Sequence, residues 1–169
     1  MGRSLLFLFF TLISVLPLQM LCENGLGIEA SPSKVIFHPS TGLCVVRKSN
    51  TDPLSLGPCS KTEHWKYTPQ KILTIKGTYF CLQADEIGKP AKLGIICTDS
   101  SSRWETVSDS KVQYLSSKAS DGSTVCLDVD SDDVVVTNAC KCLSSDGRCE
   151  PGTQWFKISD GSKIKITHE

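Results

Sequence analysis

Apolar positions along this chain recur in short runs separated by turn-forming clusters, a spacing too tight for helices. β-rich runs fall at 35–37, 43–47, 54–56, 65–67, 72–75, 80–83, 93–97, 104–107, 112–116, 125–129, 134–138 and 154–158. Between them lie the turn clusters 39–42, 49–53, 85–90 and 120–123, rich in Pro, Ser, Asn, Asp and Gly. Strands punctuated in this way predict an all-β barrel or sandwich. Nowhere does an apolar 3.6-residue period persist over three turns, so no amphipathic helix is predicted.

The cysteines divide these strands into groups. Cys44 and Cys59 are 15 residues apart, Cys81 and Cys97 are 16 apart, and Cys126 and Cys140 are 14 apart. An aromatic segment follows each second cysteine: Glu63-His64-Trp65-Lys66-Tyr67, Ser102-Arg103-Trp104-Glu105-Thr106 and Gln154-Trp155-Phe156-Lys157-Ile158. The first cysteines step by 37 and 45 residues and the second by 38 and 43. A period of this size means one supersecondary unit used three times. Twelve strands in three groups of four predict a β-trefoil, each unit stapled by its own disulfide. Opposed residues of a hairpin stand ~4.5–5.5 Å apart, within the reach of a disulfide. Trp65 and Trp104 are expected in the core, where a large ring buries most area.

A fourth pair, Cys142 and Cys149, lies in an insertion ahead of the last aromatic segment. It reads as a surface loop pinned by its own bond. The rival reading is a metal knot of Cys140, Cys142 and Cys149, against which stands the lack of a nearby histidine. Residues 1–22 have the form of a secretory signal: Arg3, then the apolar run 5–18, ended by polar sequence after Pro17. That run is shorter than the ~20 residues of a bilayer span, the alternatives being a signal anchor or a buried helix. Cleavage after Cys22 leaves eight cysteines, an even set suited to an oxidising compartment. The expected order is a leader 1–22, an extension 23–34, the trefoil 35–160 (units 35–71, 72–110 and 111–160) and a tail 161–169. The mature protein is expected to be secreted and extracellular, with no membrane span.

Charge narrows the partners. Lys and Arg number 18 against 18 Asp and Glu, with no basic cluster, so a nucleic-acid partner is not expected. The acidic run Asp128, Asp130, Asp132 and Asp133 departs from a calcium loop, which needs glycine sixth and glutamate twelfth where this chain has Asp133 and Ala139. Neither a metal nor a cofactor is expected. There is no G-x-S-x-G, H-E-x-x-H or glycine-rich phosphate loop, so no enzyme is predicted.

Ile36-Phe37-His38-Pro39-Ser40-Thr41-Gly42-Leu43-Cys44, Cys126-Leu127-Asp128-Val129 and the Q-x-W-like segments resemble the ricin B-type lectin domain, a β-trefoil of three sugar-binding units. Gly88-Lys89-Pro90-Ala91-Lys92-Leu93-Gly94-Ile95, Asn138-Ala139-Cys140-Lys141-Cys142-Leu143 and Gln154-Trp155-Phe156-Lys157 are similar to the ricin-B-like C-terminal domain of plant secreted family-5 glycoside hydrolases. The likeness spans residues 35–159 and implies the accessory domain without the catalytic barrel, in the apoplast or cell wall of a plant.

The same resemblance implies site positions. The family uses an aspartate two residues after the first cysteine, an aromatic platform two before the second, and an Asn with a Gln near the last segment. Unit one has Val46 and Gly57 at the first two positions; unit two has Gln83 and Ile95. Only unit three keeps the carboxylate, Asp128, with Gln154; Asn138 stands at its platform position and Thr153 at the Asn position. Trp155 turns outward toward a ligand if Phe156 takes the core slot. Asp128 has a second reading, as a turn aspartate that bonds backbone amides and keeps the hairpin register. The candidate carbohydrate-binding residues are therefore Asp128, Asn138, Gln154 and Trp155. Carbohydrate, either a galactoside or a cell-wall glycan, is the expected partner. A secreted protein partner, with the trefoil as a hydrolase inhibitor or apoplastic effector, is the alternative, as is an orphan accessory domain of a glycosidase.

Overall fold

The computed structural model describes residues 33–109, 112–141 and 152–164, with only the backbone at 108, 109 and 112. The strands are β1 Lys34–His38, β2 Leu43–Val46, β3 Ser55–Gly57, β4 Trp65–Tyr67, β5 Leu73–Ile75, β6 Cys81–Gln83 and β7 Lys89–Pro90. They continue as β8 Lys92–Gly94, β9 Glu105–Asp109, β10 Val112–Lys118, β11 Thr124–Val129, β12 Val135–Ala139 and β13 Lys157–Asp160. Helix among the described residues is confined to three-residue 3-10 turns, at Cys59–Lys61, Ser100–Ser102, Gly152–Gln154 and Gly161–Lys163.

Six strands close a ring. β1 pairs β13 on one side and meets β4 on the other, β4 pairs β5, and β9 pairs β10, all antiparallel. An Ile72–Arg103 bridge joins the β5 and β9 ends, and Phe156 N donates to Gln113 O to join β10 to the approach of β13. Three hairpins stand on this barrel: β2–β3, β6–β8 and β11–β12. Each carries a staple, Cys44–Cys59, Cys81–Cys97 and Cys126–Cys140, as the spacings predict. The hairpins also hold one another. Val135 N donates to Leu54 O, Ala91 N donates to Val135 O, and β7 pairs β12.

The core fills the barrel. Trp65, Trp104 and Phe156 are each 0% exposed and sit among Ile36, Leu73, Leu82, Leu115 and Leu127. Trp104 keeps its polar edge satisfied by donating Nε1–H to Leu82 O at 2.9 Å. Phe156 therefore takes the third core slot, and Trp155 stands outside it, half-buried.

Two predicted strands are shifted. Residues 93–97 were expected as a strand, but pairing ends at Gly94 because Ile96 O accepts from the Gln83 and Ser102 side chains. The same arm is split at Ala91, whose amide goes to Val135. Residues 154–158 likewise begin in a 3-10 turn that ends at Gln154, and β13 starts at Lys157. Residues 1–32, with the expected leader and Cys22, lie outside the described residues. So do the expected Cys142–Cys149 staple and residues 165–169.

Candidate functional site

β11 carries Asp128 two residues beyond Cys126, opposite Val136 of β12, and leaves it 1% exposed. Its Oδ1 accepts the Val129 amide at 2.8 Å. Its Oδ2 accepts Asn138 Nδ2 at 3.1 Å and Gln154 Nε2 at 3.0 Å, and Lys141 Nζ lies 3.3 Å away. Burial alone would raise this carboxyl. Hydrogen bonds from Thr153, Gln154, Asn138 and the Val129 amide outweigh it, and the pKa lies below the ordinary aspartate value.

Gln154, itself 0% exposed, is held by the 3-10 turn Gly152–Gln154. Its Nε2 also donates to Ala139 O at 3.0 Å, while its Oε1 accepts the Lys141 amide at 3.0 Å. One amide thus clamps the end of β12 against the carboxylate. Lys141 closes the solvent side, its Nζ reaching Thr153 Oγ1 at 3.2 Å. The tertiary fold brings together Asp128, Asn138 and Gln154 and adds Lys141 and Thr153. Lys141 was missed as a site residue. Its signal was a lone base directly after the second cysteine, where units one and two have Ser60 and Thr98.

Trp155 stands apart from this set. Lys157 Nζ lies over its ring at 5.2 Å, while the Asp128 carboxylate is bonded by Asn138 and Gln154. Nor do the four aspartates form one cluster. Asp128 turns inward, while Asp130 Oδ1 accepts the amides of Asp132 and Val134 at 2.9 Å each and shapes the hairpin tip.

The other two hairpins fill the equivalent space with their own side chains. Strand register places Gly57 opposite Cys44, Gly94 opposite Cys81 and Asn138 opposite Cys126. In unit two the position matching Asn138 is therefore Gly94, not Ile95, because this loop is one residue longer before its second cysteine. Val46 lies over Gly57, where an added Cβ would meet Val46 Cγ2 at 2.9 Å. Gln83 lies over Gly94, where an added Cβ would meet Gln83 Oε1 at 2.0 Å. Gln83 is further tied to Ile96 O at 2.7 Å and Ser102 Oγ at 3.1 Å. Neither unit has a carboxylate at this position.

No protein-family model matches the chain. A solved structure, the GlcNAcα1-4Gal releasing endo-β-galactosidase from Clostridium perfringens, matches with a TM-score of 0.55 at 15% identity, over 76% of this chain and 32% of that one. The fold is a β-trefoil. The hemolytic lectin CEL-III gives a TM-score of 0.49 at 15% identity over 76% of this chain and 33% of that one. A glycosyl hydrolase 5 family protein from Chamaecyparis obtusa is 28% identical over 147 residues, 80% of this chain and 26% of that protein. The likeness to family-5 hydrolases read from the sequence is thus found again, and the chain spans about a quarter of that relative's length.

Proposed function

We propose that this trefoil is a secreted, non-catalytic carbohydrate-binding module with a weak site in its third unit, working beside a glycoside hydrolase. One observation carries the reading. Of three equivalent hairpin positions, only the third gathers a carboxylate, two carboxamides, a hydroxyl and an ammonium: Asp128, Asn138, Gln154, Thr153 and Lys141. The leader-like run 5–18 and three disulfides support an oxidising, extracellular setting. The likeness to a quarter of a longer hydrolase supports an accessory role.

The geometry also sets the affinity. Asp128 Oδ2 already has three donors, so a sugar hydroxyl reaches it by displacing Lys141, whose side chain is 53% exposed. Exchanging one charge-assisted bond for another gains little net free energy. Binding is expected near ~1 mM, about −4 kcal/mol. An amide-shift titration of the oxidised protein with galactosides, xylosides and glucan oligomers tests this. Asp128→Asn should abolish the saccharide-dependent shifts of the Asn138 and Lys141 amides while Gln83→Ala keeps them, and Lys141→Ala should bind at this site, by the Asn138 shift, at least as tightly as wild type. Thermal unfolding shows that each variant is folded. A folded Asp128→Asn protein whose Asn138 and Lys141 amides still respond like wild type defeats the reading.

A protein-binding role has its own observation. Tyr79, Ile95 and Ile96 are 89%, 70% and 61% exposed around the Cys81–Cys97 staple. Grouped apolar exposure of this kind marks contact surfaces. Replacing Tyr79 and Ile96 with Ser should leave sugar binding unchanged and abolish association with a hydrolase, measured by sedimentation; unchanged association would remove this reading.

A further inference from the structure

A cavity of about 150 Å³ lies between the β2–β3 loop of unit one and the β7–β8 arm of unit two, apart from the Asp128 cluster. We propose that it is a second saccharide site, sized for one neutral pyranose ring. Sites for drug-sized ligands run ~300–1,000 Å³, so this one takes a single ring-sized group.

The lining decides the chemistry. Pro53, Pro90 and Leu93 present apolar surface, while Asn50, Asp52 and Lys92 bring polar groups to the same cavity. A pyranose has this division: a face of C–H groups and an edge of hydroxyls that both donate and accept. A purely apolar ligand would desolvate the Asp52 carboxylate without replacing its hydrogen bonds. An anion would be repelled by Asp52, and a simple cation would meet the Lys92 ammonium, which is held by Asp85 at 2.9 Å. A neutral polyol avoids all three penalties.

The walls are built before any ligand arrives. Arg47, paired with Glu63 at 2.9 Å, donates from Nη1 to Asn50 Oδ1 at 2.6 Å, which directs the Asn50 NH2 away from Arg47 as a donor. Ser49 Oγ accepts the amides of Thr51 and Asp52 at 3.1 and 3.0 Å, setting where Asp52 stands. Proline fixes φ at Pro53 and Pro90. Behind the two walls, Leu54 O and Ala91 N are both bonded to Val135, each at 2.9 Å. A site ordered in advance loses less freedom on binding, so even a small polyol can be held.

This site does not depend on Asp128, which makes the two proposals separable. Amide chemical shifts of the oxidised full chain are followed during titration with methyl β-galactoside, methyl β-xyloside and cellobiose, with inorganic phosphate as the anionic control. The amides of Thr51, Asp52 and Leu93 should shift saturably with at least one saccharide, equally in wild type and Asp128→Asn. Asp52→Ala, an exposed substitution, should weaken that response about tenfold and leave the shifts of Asn138 and Lys141 unchanged. Shifts confined to Asn138 and Lys141 overturn the second site and leave the first standing. Shifts confined to Thr51 and Leu93 do the reverse. A saturable response to phosphate at these amides, or an undiminished one in Asp52→Ala, also overturns the proposal.

Discussion

Asp128 shows how one side chain serves a hairpin and a candidate site at once. Its burial works against ionisation and its hydrogen bonds work for it, with the bonds prevailing. An acid with a lowered folded pKa stabilises fully above its unfolded value of 3.8 and loses that contribution as pH falls below it. Asp128→Asn should therefore flatten the acid side of the stability–pH curve, read from urea midpoints; an unchanged acid limb would count against an ionised Asp128. His38 behaves in the same direction for the opposite charge. Burial lowers its pKa, against the carbonyls of Gly152 and Thr153 and the charges of Asp128 and Asp133. Its ring Nδ1 lies 2.9 Å from Thr41 Oγ1 and its face packs on Phe156 at 4.9 Å. The unfolded chain binds the proton more readily, so this contribution is complete above pH 6.5 and declines as pH falls through the folded value. His38→Phe should lose the stability slope that wild type shows as pH falls below 6.5; retention of that slope would assign it elsewhere.

Among elements, the second hairpin makes the sharpest prediction. Gln83 lies on the bare Cα of Gly94 and holds Ile96 O and Ser102 Oγ from there. Gly94→Ala displaces that carboxamide and should cost ~1–3 kcal/mol through the partners it leaves unmatched. Added to Gln83→Ala it should cost much less, so the double-mutant cycle gives a coupling well above the ~0.5 kcal/mol of independent sites. The staples act on the unfolded chain. Replacing Cys44 and Cys59 together by Ser opens a loop of separation 15 and should cost about 3 kcal/mol in a denaturant titration.

For the whole molecule, stability resides in the barrel interior. Trp104 is fully buried in a core cluster drawn from all three units and donates to Leu82 O. Trp104→Ala should cost ~3–5 kcal/mol, a large share of the ~5–15 kcal/mol that holds an ordinary domain folded, and lower the melting temperature accordingly. Material secreted from a eukaryotic host should have lost about 22 residues by intact mass and carry no N-glycan, since no Asn-x-Ser/Thr sequon is present. Recovery of the intact leader in a membrane fraction would contradict the secreted reading.

Strand content, the threefold period and three of the staples were legible in the sequence because each depends on local pattern. Period-two alternation, turn residues and matched cysteine spacing act within one hairpin. Asp128 and Gln154 were legible too, through their offsets from cysteine and aromatic. The partnership of Asn138 with Asp128 was not, since Asn138 occupied a position where the resemblance implied an aromatic. Cross-strand register decided that Gly94, rather than Ile95, matches Asn138, and a one-residue difference in loop length is invisible without the pairing. Only the tertiary structure set Lys141 against Asp128 and Thr153, and only it brought Asp52 and Leu93 to one cavity. Those contacts join segments of different hairpins or distant turns. Their geometry follows from how the hairpins dock through Leu54, Ala91 and Val135, a long-range packing that no local spacing encodes.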